Sequence, residues 1–307
     1  MTMPNFLIIG AAKSGTTALH EYLQQHPQVY MTPNKETNFL AFEGEVVDFN
    51  GPGDDGVKNF SITDLKTYQA EFEQVTNELA LGEACPSYLY LPKAAQTIKK
   101  HIPDTRLIII LRNPVERAYA NFLHLVRDNR EPYSDFISAL KDETTRIENN
   151  WEWFWHYIQV GYYGAQLQRY YEMFSPSQIK VYLYEDFKTK PVALIQDICR
   201  FLEIDSTFVP NMSYRPNRSG VPKNRTIHSF VMKPNLLKDL FKPLLPNIFR
   251  QNIKNQVKYN NLEKPPISQS ARQYLIELYR EDIVRCQNLI NRDLSPWLAE
   301  EVSYISD

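Results

Sequence analysis

The sequence predicts an α/β fold, a central parallel sheet flanked by helices in a single domain covering residues 1–307. Three observations lead there. Four short apolar runs recur along the chain, and a stretch of helical periodicity follows each one. The first run passes through a glycine-bearing loop straight into a helix. Strands alternating with helices imply a mostly parallel sheet covered on both faces.

Taken in order, Phe6–Ile9 is an apolar run of strand length, and Gly10 ends it. The loop Gly10-Ala-Ala-Lys-Ser-Gly-Thr-Thr17 follows. Ala18–Gln25 then places Leu19, Tyr22 and Leu23 on one helical face, and Pro27 stops it. Glu43–Asp64 holds Gly44, Gly51, Gly53 and Gly56 among several Asp, which reads as a loop or flexible lid. Leu79–Cys85 reads as a strand and Pro92–His101 as a helix. Arg106–Leu111 is the clearest buried strand. Pro114 behind it suits the first turn of a helix that runs to about Arg130. Gln166–Phe174 is helical, Ile179–Tyr184 is a strand, and Val192–Leu202 is a helix. Ser268–Asn291 is a long helix with Leu275, Leu278, Tyr279 and Ile283 at helical spacing. Arg215–Arg225 carries Pro, Asn, Ser and Gly and reads as an ordered loop. Residues 233–266 hold five prolines and read as an irregular surface insertion.

Composition narrows the functional classes. Hydrophobic residues make up 43% and charged residues 23%, the balance of a globular chain. The net charge of −2 supplies no basic field for nucleic acid, so any anion site must be local. Cys85, Cys199 and Cys286 lie far apart, with no CxxC pair and no His cluster beside them. Neither a metal site nor a disulfide framework is expected. No apolar run approaches the ~20 residues of a membrane span, and the N-terminal one is too short for a leader. A cytoplasmic protein is the expectation.

A glycine loop between a strand and a helix is an anion site. The helix N-terminus offers unpaired N–H groups and the positive end of its dipole. Gly10 and Gly15 let the backbone close, Thr16 and Thr17 add hydroxyls, and Lys13 adds charge. The loop is P-loop-like without matching G-x-x-x-x-G-K-[ST]: Thr16 stands where the lysine belongs. The main strand also ends in Arg112 rather than in a magnesium-binding Asp. A basic residue there points to a further phosphate rather than to a metal.

These motifs resemble those of the sulfotransferase family. Lys13-Ser-Gly-Thr-Thr17 is similar to its 5′-phosphosulfate loop, and Arg112-Asn-Pro-Val-Glu-Arg117 to its 3′-phosphate motif. Pro33-Asn-Lys-Glu36 followed by Phe39 resembles a segment of the heparan-type and bacterial carbohydrate branch. Gly82-Glu-Ala-Cys-Pro-Ser-Tyr88 resembles a substrate-side segment of that branch, and Arg218-Ser-Gly-Val-Pro-Lys223 a loop that closes on the nucleotide. Asp293-Leu-Ser-Pro-Trp297 resembles the C-terminal segment of bacterial members. One departure stands out. The family places a serine eight positions after the motif arginine, and this chain has Ala120 there. Asn121 or a backbone N–H is the candidate substitute.

The resemblance implies transfer of a sulfuryl group from 3′-phosphoadenosine 5′-phosphosulfate (PAPS) to an acceptor hydroxyl. The acceptor is a carbohydrate or a small or carrier-bound metabolite, no metal is needed, and the desulfated product is PAP. Lys13 is the candidate to stabilise charge on the leaving oxygen, and Glu36 is the candidate general base, with Glu83 second. Ser14, Gly15, Thr16 and Thr17 would hold the 5′-phosphate. Arg112 would read the 3′-phosphate, with Glu116 as its alternative partner, and Gly220, Val221 and Lys223 would close over the nucleotide. Gly161-Tyr-Tyr-Gly164 is a candidate adenine contact, and Trp151–Trp155 a candidate acceptor cleft. None of the six His falls in a motif. A P-loop kinase or ATPase, and a non-catalytic PAP-binding relative, are the alternatives.

Overall fold

Five short strands form one sheet in the order β2-β3-β1-β4-β5, every neighbouring pair parallel. They are β1 Phe6–Gly10, β2 Val29–Met31, β3 Ala80–Ala84, β4 Arg106–Leu111 and β5 Ile179–Leu183. The computed structural model describes residues 2–213, 220–222 and 262–299.

The strand register explains the continuous apolar runs. In β1, Leu7 lies beside Glu83 of β3 and Leu107 of β4. Successive side chains then point to opposite faces. Leu7, Ile9, Leu107 and Ile109 join one buried cluster, while Phe6, Ile8, Ile108 and Ile110 join another. A strand buried on both sides has no polar face, which is why β1 and β4 read as unbroken hydrophobic segments. Gly82 marks the closest approach in this layer. A Cβ at that position would fall 2.1 Å from the Phe6 ring.

The helices Thr16–Leu23 and Pro191–Leu202 cover one face. The helices Pro92–His101, Pro114–Arg127, Tyr163–Met173 and Gln269–Ile290 cover the other. Asn113 caps the helix Pro114–Arg127 by accepting from the N–H groups of Val115 and Glu116 at 3.0 and 3.4 Å, with Pro114 at the first helical position. Asp282 of the long C-terminal helix accepts from the backbone N–H groups of Gly164 and Ala165 at 2.7 and 2.9 Å. The last helix thus caps its neighbour from outside. No helix among the described residues is long and apolar enough to cross a membrane.

Two features depart from expectation. The segment expected as a flexible lid is pinned instead. It contains the helix Asp55–Phe60, and Asp54 before it is buried. Asp54 accepts from Gly51 N–H, Glu152 N–H and Trp155 Nε1–H at 2.8 to 2.9 Å and pairs with Arg130. Strand β2 is the other departure, because three residues are too few to show a period. Val221–Pro222 pairs antiparallel with Leu262–Glu263, beside the helix Pro114–Arg127. Leu262–Glu263 gives the end of the expected 233–266 insertion a strand pairing, while residues 233–261 lie outside the described residues.

Candidate functional site

Every strand of the sheet runs in one direction, so the segments leaving their C-terminal ends gather on one edge, where open α/β sheets bind ligands. Lys13 leaves β1, Glu36 follows β2, Arg112 leaves β4, and Tyr184 leaves β5. All four line one cavity of about 330 Å³, within the range of small-molecule sites. Gly15, Thr16 and Thr17 line it too. The loop therefore presents the N-terminus of the helix Thr16–Leu23 to the cavity. Gly15 sits at φ 105°, a backbone region glycine adopts freely and other residues rarely do. An added Cβ would also meet the Phe187 ring at 3.3 Å.

Lys13 is half-buried on the cavity wall, and its Nζ lies 2.8 Å from Nδ1 of His124. Burial pushes its ammonium down to about 7, Arg127, Arg112 and Lys35 add to that push, and Asp128 opposes it. Several cations converge on this group and disfavour its charge, an arrangement that suits an anion.

Arg112 donates to the Lys13 carbonyl at 3.2 Å and lies over the Tyr184 ring at 5.0 Å. Its ion pair with Glu116 is the loosest that carboxylate makes among the described residues. Arg112 is 3.8 Å away, against 2.7 Å for Arg272 and 2.9 Å for Lys264. Burial acts to raise Glu116, but Lys264, Arg272 and Arg112 hold it down at about 2. Glu116 is already satisfied by two closer cations, so the Arg112 guanidinium can turn toward an anion.

Glu36 adopts φ 67°, donates its backbone N–H to the Ala84 carbonyl at 3.1 Å, and pairs through its carboxylate with Lys35. Burial lowers the Lys35 ammonium to about 8, and Cys85, Glu83 and Glu21 oppose this. Glu83, the second base candidate, is enclosed and absent from the cavity wall. It accepts from Thr37 N–H, Thr37 Oγ1–H, Tyr68 OH and Tyr88 OH at 2.6 to 3.2 Å. A carboxylate so occupied cannot reach a substrate proton.

The remaining sequence candidates divide. Ser14 is buried beneath the loop rather than on the cavity wall. Gly220 is buried, Val221 belongs to the two-residue strand, and Lys223 lies outside the described residues. Ala120 is enclosed within its helix, and the Asn121 amide nitrogen donates to the Phe154 carbonyl, so neither side chain reaches the cavity. Tyr163 packs on Trp297 and Tyr162 on Tyr279, away from the cavity. Of Trp151–Trp155, Phe154 alone faces it; Trp153 and Trp155 are core.

Among the wall residues that sequence reasoning did not single out are His124 and Tyr184. His124 sits twelve positions after Arg112, in the helix Pro114–Arg127 that follows it, between Lys13 and the Phe154 ring. Tyr184 directly follows β5 as Arg112 directly follows β4. The strand-end position was a readable signal for Tyr184. For His124 the only signal was its place on the helix that starts just after Arg112.

A family model described as the sulfotransferase family matches residues 4–208. Among solved structures, a sulfotransferase from Alicyclobacillus acidocaldarius superposes with a TM-score of 0.76 at 35% identity, covering 97% of this chain and 100% of that one. Membrane-associated sulfotransferase kil1 of Dictyostelium discoideum is 32% identical over 157 residues, 48% of this chain and 30% of that protein. Bifunctional heparan sulfate N-deacetylase/N-sulfotransferase 4 of Mus musculus is 24% identical over 317 residues, 99% of this chain and 32% of that protein. The chain therefore spans about a third of the length of these curated relatives. The matched residues include the loop of Lys13, the segment of Glu36 and the strand-end Arg112, and on that match the chain belongs to the sulfotransferase family.

Proposed function

We propose that the protein transfers a sulfuryl group from PAPS to an acceptor hydroxyl. One observation carries the reading. Lys13 and Arg112, 99 residues apart in sequence, meet at one cavity beside a helix N-terminus, with Glu36 on the same wall. Two separate cations suit a ligand with two separate anionic groups, which PAPS has at its 5′ and 3′ positions.

The bound donor supplies an activated sulfuryl group on a phosphosulfate anhydride. The backbone N–H groups of Ser14 to Thr17 would hold the 5′-phosphate at the helix N-terminus. Lys13 would become fully charged beside that anion and stabilise the charge that grows on the leaving phosphate oxygen. The Arg112 guanidinium would take the 3′-phosphate, with the Tyr184 ring beneath it as a stacking face for the base. Glu36 would accept the acceptor's proton. His124 holds the Lys13 ammonium in place through its 2.8 Å contact. The wall also includes Phe154, beside His124, and Pro86, which suit the apolar face of a sugar ring or an acyl chain.

The test is release of PAP from PAPS by the purified protein, with water and a panel of mono- and disaccharides as acceptors. Glu36→Gln is expected to lower turnover by about 10²- to 10⁴-fold, the range for a general base, with PAP affinity kept. Unchanged turnover in Glu36→Gln would remove Glu36 from the mechanism. Absence of PAP release by the wild-type protein on every acceptor would overturn the transfer reading.

A further inference from the structure

We infer that Glu83 is a positioning residue for Glu36, and that the segment Gly82–Tyr88, of which Pro86 alone lines the cavity, is a clamp that fixes the base. The inference rests on the proposal that Glu36 is the general base.

Glu36 and Asn38 both lie in the left-handed region, at φ 67° and 59°. Non-glycine residues hold that conformation only where the surroundings over-determine it. Thr37 stands between them and is buried. Both its donors are taken by one atom: its N–H reaches Glu83 Oε1 at 3.2 Å and its Oγ1–H reaches the same oxygen at 2.6 Å. Asn38 is gripped from the same segment. Its Oδ1 accepts from Ser87 Oγ–H at 2.9 Å and from Cys85 Sγ–H at 3.1 Å. Glu36 itself donates its N–H to Ala84. Every residue from Glu36 to Asn38 is thus held by residues 83–87.

The clamp is itself fixed from behind. Tyr68 OH donates to Glu83 Oε2 at 2.8 Å, and Tyr88 OH lies 3.0 and 3.1 Å from the two oxygens. Tyr88 also accepts from the Leu40 N–H at 3.3 Å, which ties the following turn to the same group. All the groups facing Glu83 are donors, so the carboxylate serves as a pure acceptor. Burial pushes its carboxyl up and these donors oppose it. A buried carboxylate with no substrate access but a full set of donors acts through what it holds, and what it holds is the turn that carries Glu36.

Two variants test this. Glu83→Gln keeps an acceptor for Thr37, and Thr37→Val removes one donor at constant shape. Each is made alone and with Glu36→Gln, and PAPS turnover with water as acceptor is measured beside PAP affinity. Each single change is expected to lower kcat by roughly 10- to 100-fold with PAP affinity unchanged, and to cost nothing further where Glu36 is already Gln. Thr37→Ser is expected to restore turnover. The same loss in the Glu36→Gln background, or no loss alone, would overturn the inference. Amide hydrogen exchange supplies a readout independent of turnover. Thr37→Val is expected to raise exchange at Glu36–Asn38 with the β1 and β4 amides unchanged. If Glu36→Gln leaves turnover intact the base assignment fails, while slow exchange at Glu36–Asn38 in Thr37→Val would sink the clamp alone.

Discussion

Binding of PAP at alkaline pH is expected to draw a proton from solution, and Lys13 is the group that takes it. In the free protein its ammonium titrates at about 7, because burial and the neighbouring Arg127 and Arg112 disfavour the charge. A phosphate at the loop supplies the missing opposite charge and returns the group toward the ordinary lysine value. The sign follows directly. At pH 8 a group with a pKa near 7 is about nine-tenths neutral, so binding takes up about 0.9 proton per site; at pH 6 the uptake falls to about 0.1. Affinity then weakens by up to about tenfold for each pH unit above 7, which corresponds to ~1.4 kcal/mol. The phosphate's own second ionisation, near 6, is complete by pH 8, where the proton count is taken. The assay is calorimetry at pH 8 in buffers of differing ionisation enthalpy, where the slope of observed against buffer enthalpy gives the proton count. A slope near zero would refute the electrostatic reasoning about Lys13, whatever the affinity.

The other expectations are simpler. Lys13→Met should raise the thermal midpoint of the free protein at pH 7, since it removes a buried group whose charging costs up to about 4 kcal/mol there. The wild-type protein should accordingly gain stability as pH rises from about 7 towards 10, where the unfolded chain binds a proton that the folded one rejects; loss of stability across that window would contradict the assignment. Lys13→Met should also abolish both the proton uptake and PAP release, leaving His124 its contact with Arg127. Gly82→Ala should destabilise the fold by roughly 1–3 kcal/mol or more, because its Cβ would collide with the Phe6 ring in a packed sheet layer. Chemical denaturation checks this, and a wild-type midpoint would show that β1 and β3 can separate at no cost.

The parts of this molecule that were legible in the sequence are those with a strong period or a single dominant feature. Arg106–Leu111, Pro92–His101 and the β1 loop follow from apolar runs, Pro at a helix start and glycine at a turn. The cavity residues Lys13, Thr16, Thr17, Glu36 and Arg112 were found because each sits in a short motif at a strand end. What escaped depends on contacts between distant segments. Glu83 and Glu36 are both acidic residues in family-like motifs, and only the tertiary partners Thr37, Tyr68 and Tyr88 separate a buried acceptor from an accessible carboxylate. The Gly- and Asp-rich segment 43–64 reads as flexible, yet Asp54 is pinned by Trp155 and Arg130, about 100 and 76 residues further on. His124 carries no motif, and its relation to Lys13 exists only once the helix Pro114–Arg127 packs beside the loop.

Donor recognition is tested most directly by calorimetric titration with PAP, adenosine 5′-monophosphate and ATP, without magnesium, in the wild-type protein and in Arg112→Ala. The expected result is selective PAP binding, weakened about 10- to 100-fold in Arg112→Ala, as loss of a charge-assisted contact requires, with monophosphate affinity little changed. Preference for ATP, or PAP affinity indifferent to Arg112→Ala, would contradict the assignment of PAPS as the donor.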